Sequence, residues 1–208
     1  MTLPPKQVDR THYSFSRYVD KGRWASVWHQ LDEVARFKPQ RVLEIGPGPG
    51  LLKRTGAAFG MAVETLDLDP ELEPDHLGSV LALPFANGSF DVICAFQMLE
   101  HLPYAQSLQA FAQMARVASK AVIISLPDLR PMWRYSLHLP RVGQKCWLLN
   151  RPFWKPQSHR FDGEHHWEIN KLETPLEKVM ADLSALMTLQ RTYRMFDDPY
   201  YRFFVFVP

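Results

Sequence analysis

Apolar positions recur with two periods along the chain, and each period marks an element. Trp24, Val27, Trp28, Leu31, Val34 and Ala35 repeat at helical spacing and predict an amphipathic helix over 22–37. RVLEIG (41–46) is a short apolar strand ending in glycine, and PGPGLLKRTGAAFG after it reads as a loop and a helix. AVETLDLD (62–69) is a second strand ending in acids, and a short strand is expected near 77–82. FDVICAF (90–96) and AVIISLP (121–127) are mainly apolar runs, the mark of strands covered on both faces. Leu108, Phe111, Ala115 and Ala118 place a helix between them. The end of the chain differs. Thr174-Pro175-Leu176-Glu177 reads as a capping box with proline at the first helical position, opening a helix to about Leu186. LQRTYRMF and YYRFFVFV, separated only by DDP, predict an antiparallel hairpin. The expected architecture is α/β: a doubly wound, mostly parallel sheet whose last strand runs backwards.

Composition narrows the class only slightly. The 208 residues fit one domain, and 46% hydrophobic with 22% charged residues is ordinary for a globular chain. The formal net charge of +2 points to no polyanion, but its distribution is uneven. Seven basic residues and no acid lie between Leu129 and Arg160, so the remainder of the chain is net negative. Cys94 and Cys146 form neither a C-x-x-C pair nor a disulfide framework. MTLPPKQVDR has no apolar core, and no run of eighteen apolar residues follows, so the expected location is cytoplasmic.

Gly46-Pro47-Gly48-Pro49-Gly50 follows a strand and opens a helix, the place where an open α/β sheet binds a ligand. A dinucleotide loop wants glycine where Leu51 stands. A P-loop wants a later lysine followed by a hydroxyl, and the two prolines remove N–H groups that a phosphate would use. A cofactor that approaches the backbone without a pyrophosphate fits better, and S-adenosylmethionine (SAM) is such a molecule. VLEIGPGPG, TLDLD, GSVLALPFANGSFDVI and MLEHLPY, in that order, resemble the class I SAM-dependent methyltransferases of the broad type 11 group, which includes ubiquinone and menaquinone methylating enzymes. The resemblance covers about 41–127 and implies a Rossmann-like sheet of seven strands with an antiparallel last strand. It also implies a single methyltransferase domain over 1–208, with a helical cover at 1–40 and a substrate-cover insertion at 129–172.

The same resemblance assigns the cofactor residues. Gly46 and Gly48 let the backbone approach the amino-acid part of SAM, and Glu44 lies near its ammonium group. Asp67 accepts both ribose hydroxyls. Ser79 stands where the family usually has an aspartate beside the adenine amino group, which removes charge assistance there. Val80 contributes its backbone N–H, and Gln97 closes the cofactor set. Asp69, Asp91 and Pro84-Phe85 read as structural.

Methyl transfer to a hydroxyl or amine needs a group to accept the displaced proton. His101, just after the fourth strand, is one candidate. HRFDGEHHWEI (159–169) falls where the family builds its substrate cover, so His165 and His166 are the others, with Glu164 or Glu168 to orient them. The alternative for this stretch is a loop–helix junction around the turn Phe161-Asp162-Gly163, with Trp167 in the core. Some family members bind a divalent ion through E-x-x-E-H. Here the first acid is Gln97, ahead of Glu100 and His101, and no metal is expected.

Trp133, Trp147 and Trp154 stand among the seven cations of 129–160, which suits a small anionic acceptor. FDGEH-x-WEI and PYYRFF resemble methyltransferases encoded with bacterial surface polysaccharides, which implies a sugar or a lipid-linked saccharide. This segment is expected either to close over the acceptor or to rest on a membrane surface. Nucleic acid is disfavoured by the balanced total charge, and the sequence does not fix an oligomeric state. Two rival classes are a binding subunit that keeps the fold without turnover and a metal-dependent RNA methyltransferase.

Overall fold

The computed structural model describes residues 13–208, so the part of the expected N-terminal cover before Tyr13 lies outside the described residues. Helices α1 (Phe15–Tyr18) and α2 (Lys21–Arg36) precede strand β1 (Val42–Ile45), helix α3 (Leu51–Ala57) and strands β2 (Val63–Asp67) and β3 (His76–Leu77). Next come β4 (Phe90–Phe96), α4 (Tyr104–Val117) and β5 (Ala118–Pro127). An insertion carries β6 (Met132–Leu139) and β7 (Gly143–Asn150), and α5 (Leu176–Ser184), β8 (Thr188–Arg194) and β9 (Tyr201–Val207) close the chain. The main sheet has seven strands in the order β3-β2-β1-β4-β5-β9-β8. Every pairing from β3 to β5 is parallel, whereas β9 runs antiparallel to both β5 and β8. This is the expected sheet with its reversed last strand.

The central strands are mostly apolar because both faces are covered. On one face α4 and α5 bring Phe111, Met114, Val179 and Leu183 against Ile93, Val122, Phe204 and Phe206. On the other, Val34 of α2 and Leu52 of α3 pack on Val42, Val92, Ile123 and Val205. Asp91 is structural as expected: its Oδ2 accepts the Gln40 backbone N–H at 2.5 Å, and Lys120 lies 3.3 Å from Oδ1. Cys94 is buried, and burial holds its thiol well above the usual range, so it acts as core.

The structure corrects several expectations. The strand expected at 77–82 is only His76–Leu77, because Ser79 then caps a single 3-10 turn over Val80–Ala82. Ala118 begins β5 instead of ending α4. Trp24 and Trp28 are exposed, 54% and 61%, so the buried side of α2 runs through Ser26, Val27, Glu33 and Val34. Glu33 is tolerated there because Arg191 of β8 pairs with it. Thr174 does not cap α5: its buried hydroxyl donates to the Glu168 carbonyl at 2.6 Å, and Pro175 takes the cap position without a side-chain bond. The basic insertion holds an antiparallel ribbon that period-2 reading had not found.

Candidate active site

The glycine loop lies at the carboxyl end of β1 and turns sharply enough that Gly46 and Gly48 take φ of +66° and +53°. A Cβ on Gly46 would sit 2.5 Å from Met98 Cγ, and one on Gly48 3.2 Å from the Tyr18 hydroxyl. Only glycine fits this combination of left-handed backbone and close neighbours. The loop is therefore walled by the segment after β4 on one side and by the N-terminal tyrosines on the other.

Beside it, Tyr18, Arg23, Glu44, Gly46, Phe96 and Gln97 line a cavity. Glu44 is 4% exposed, and its Oε2 has no hydrogen-bond partner. Burial pushes its carboxyl up to about 8, with Lys53 pulling the other way. An orphaned carboxyl oxygen aimed into a cavity beside glycine backbone fits the ammonium end of an amino-acid cofactor. Gln97, at the end of β4, takes φ of +51° and holds its amide 3.4 Å from Ser125 Oγ.

At the end of β2, Asp67 Oδ1 accepts the Asp69 N–H at 2.9 Å. Burial raises the Asp67 carboxyl, and backbone hydrogen bonds from Asp69 and Leu68 oppose that rise. Asp69 is the turn residue expected of it, accepting the Glu71 N–H at 2.9 Å. Ser79 Oγ accepts the Leu81 N–H at 3.2 Å, so part of its hydrogen-bonding capacity serves its own turn, and Val80 is buried. Glu44, Gly46, Asp67 and Gln97 thus all stand at the carboxyl ends of parallel strands, where this topology opens a crevice.

The stretch 159–169 divides in two. Asp162 Oδ1 accepts the N–H groups of Glu164 (2.9 Å) and His165 (2.7 Å), and Gly163 takes φ of +105°, which closes the turn. Its second half enters the core: Trp167 is 4% exposed, its indole N–H donates to Ser107 Oγ at 2.9 Å, and Ile169 bridges to Asp128 beside β5. Between these halves His165 is carried against His101, with ring centroids 5.0 Å apart. His166 goes elsewhere. Its ring lies exposed against Phe161, and only its backbone N–H reaches inward, to the Glu100 carbonyl.

His165 Nδ1 lies 3.1 Å from Glu168 Oε1, and the same carboxylate has His159 and Lys171 within 3.7 Å. Burial works against charge on His165, but the Glu168 hydrogen bond, with Glu100 and Asp162 nearby, raises its pKa overall. Burial is also the largest influence on Glu168, yet His165 and Lys171 hold it below the usual carboxylate range. His101 is lowered, first by burial and then by His165, and its Nδ1 is 3.1 Å from the Glu164 carbonyl. Glu100 is fully buried with neither carboxyl oxygen bonded, and burial pushes it up to about 8.

Ligand-type atoms of Glu100, His101 and His165 fall within 4.8 Å of one another, as do those of Asp162, His165 and Glu168. Sequence reasoning placed His101 and His165 but gave Glu100 no role beyond a motif position. Its burial beside two imidazoles depends on the chain returning over it sixty residues later. Arg23 links the two regions: it lines the glycine-loop cavity, and its cation also opposes the rise of the Glu100 carboxyl.

A family model described as a methyltransferase domain matches residues 16–170. A ubiquinone biosynthesis O-methyltransferase from Xanthomonas axonopodis pv. citri (strain 306) is 29% identical over 144 residues, 58% of this chain. That match spans 60% of the relative's length. Among solved structures, the PH0226 protein from Pyrococcus horikoshii OT3 superposes with a TM-score of 0.61 at 14% identity, covering 97% of this chain and 99% of that one. A SAM-dependent methyltransferase from Clostridium acetobutylicum ATCC 824 gives 0.60 at 8% identity, over 94% and 95%. The glycopeptide N-methyltransferase MtfA, in complex with S-adenosyl-L-homocysteine, gives 0.58 at 14% identity, over 91% and 90%. These structural likenesses establish the fold, and the family model covers most of the chain: the protein belongs to the methyltransferase-domain family, with a class I, SAM-dependent methyltransferase domain of Rossmann-like fold.

Proposed function

We propose that this protein transfers a methyl group from SAM to an oxygen or nitrogen of a small anionic acceptor, with a sugar or lipid-linked saccharide as the first class to screen. The observation that carries the reading is the His165–Glu168 pair beside His101, an oriented imidazole packed on the turn that follows the carboxyl end of β4. Bound SAM supplies an electrophilic methyl on a sulfonium whose departure leaves a neutral thioether. The chain supplies the rest. Glu44, raised by burial, ionises as the ammonium group arrives beside it and becomes its counter-charge, Asp67 accepts the ribose hydroxyls, and Gly46 and Gly48 keep the backbone within reach. Ser79, Val80 and Gln97 complete the cofactor wall.

Glu168 fixes the tautomer of His165, whose other ring nitrogen takes the acceptor's proton. Lowered His101 stays neutral beside it. Burial of Glu100 favours its neutral form, which limits the charge in that interior. The 151–172 half of the insertion covers the acceptor, and the N-terminal segment from Tyr13 covers the cofactor. The relative's name, an O-methyltransferase, favours oxygen over nitrogen.

Calorimetric titration with SAM and with S-adenosylhomocysteine tests the cofactor half. Asp67→Ala is expected to weaken SAM binding about 10- to 100-fold, the worth of one or two hydrogen bonds to a charged acceptor. Unchanged affinity would move the ribose site away from β2. Turnover on an acceptor found by screening nucleotide sugars and lipid-linked saccharides is expected to survive excess EDTA. Loss of activity with chelator, restored by Mn²⁺ or Zn²⁺, would instead give Glu100, His101 and His165 to a cation.

A further inference from the structure

The ribbon formed by β6 and β7 has two unlike faces. Its register pairs Trp133 with Leu149 and Tyr135 with Trp147, so these four share one face with Leu137 and Leu139. All six are 39–51% exposed, although a side chain of this size and apolarity is normally covered. The opposite face is mixed: Arg134, Ser136, His138, Gln144 and Asn150 stand there with Met132, Cys146 and Leu148. Arg134 donates to the Asp197 carbonyl, which tethers that face to the turn before β9, while the side chains of both faces stay largely exposed. Lys145 stands within the apolar face, opposite Leu137, and Arg141 stands at the tip beside exposed Val142. No acid occurs from Leu129 to Arg160.

We propose that this ribbon is a docking blade for an anionic lipid bilayer. Tryptophan and tyrosine combine an apolar body with a polar edge and settle at headgroup depth, where the leucines of the same face reach the acyl boundary. Lys145 lays its stem along that face and keeps its ammonium among the headgroups. Arg141, Arg151 and Lys155 add attraction to a negative surface, worth about fivefold in partitioning for each cation close to it. The attachment is peripheral, since among the described residues no helix is long and apolar enough to cross a membrane.

A second copy of the chain is the weaker occupant. Face-to-face ribbons would bring two segments of seven cations together with no acid to offset them. The inference stands apart from the acceptor reading, because binding to lipid requires neither SAM nor an acceptor.

The test is co-sedimentation of the full chain with phosphatidylcholine vesicles and with vesicles containing phosphatidylglycerol. The protein is expected to sediment with the anionic vesicles at least tenfold more strongly than with neutral ones, and less so as salt rises. Trp133→Ser with Trp147→Ser should abolish that binding. Arg141→Ala with Lys145→Ala should weaken it roughly 25-fold. Both pairs are exposed, so circular dichroism and thermal midpoint should stay at the wild-type values. Failure to sediment, sedimentation that survives the tryptophan changes, or equal binding to neutral vesicles would overturn the proposal. So would a concentration-dependent dimer abolished by the same tryptophan changes, which would give the face to a second copy.

Discussion

Replacing Asp128 by alanine is expected to cost about 3–5 kcal/mol of folding stability, the usual loss when one partner of a buried ion pair is removed. Asp128 lies just beyond β5, is 1% exposed, and holds two arginines. Arg202 Nε donates to Oδ2 at 2.7 Å, and Arg194 Nη1 lies 3.3 Å from Oδ1. Both cations are themselves mostly covered, the Arg194 side chain 6% exposed and that of Arg202 14%. Oδ1 also accepts from Asn170 Nδ2 at 2.7 Å and from the Arg130 N–H at 3.1 Å, so one carboxylate ties together both ends of the insertion and the terminal hairpin. The Arg194 guanidinium is pushed down to about 10, first by burial, even with Asp128 beside it. Alanine would leave two desolvated cations facing each other without a counter-ion. The measurement is equilibrium urea unfolding, with a thermal midpoint lowered by about 10–15 °C for a domain of this size. Asp128→Asn keeps acceptors and shape, so it should fall between wild type and alanine. A loss below about 1 kcal/mol for alanine would mean that solvent reaches the arginines and the pair contributes little.

The side-chain part of this network was not legible in LPDLR, because Asn170, Arg194 and Arg202 arrive 42 to 74 positions later in the chain. What the sequence did disclose was whatever depends on local pattern. Short, mainly apolar runs rich in β-branched and aromatic residues read as strands covered twice, so β4, β5 and β9 were visible, and the acid-ended run gave β2. The glycine loop was visible because its backbone conformation demands glycine whatever surrounds it. Where tertiary contacts overrule a pattern, sequence reading failed in a consistent way. Trp24 and Trp28 look like core by spacing, yet the facing side of α2 is claimed by Glu33 through Arg191. Thr174 looks like a cap, yet the Glu168 carbonyl takes its hydroxyl.

The ribbon was hidden for another reason. In MWRYSLHL both alternating sets stay largely exposed, so no contrast between buried and solvated positions marks the strand. The candidate site was half legible. His101 could be placed from its motif, but the choice between adjacent His165 and His166 depends on a turn. By bonding two consecutive N–H groups, Asp162 fixes that turn and sends one ring inward and the other out.

That difference sets the second large effect. His165→Ala is expected to lower turnover about 10²- to 10⁴-fold, the usual worth of a positioned general base, while SAM affinity stays near wild type. His166→Ala removes only an exposed ring and keeps the N–H that bonds the Glu100 carbonyl, so turnover should change little. The pH profile carries the sharper test. Glu168 and its neighbours raise the His165 pKa despite burial, so the imidazole is protonated at low pH and becomes a base only as pH rises through that raised value. Turnover should therefore fall off on the acid side, with a midpoint above the ordinary histidine range. Glu168→Gln removes the carboxylate that stabilises the imidazolium and should move this midpoint to lower pH while reducing the plateau. His101, lowered by burial and by His165, should not add a second limb near neutrality. If His165 serves only to fasten the turn, its loss would lower the melting temperature and leave the acid limb where it was. Equal turnover in His165→Ala and His166→Ala would give the base role to His101, whose ring is the other imidazole of the pair.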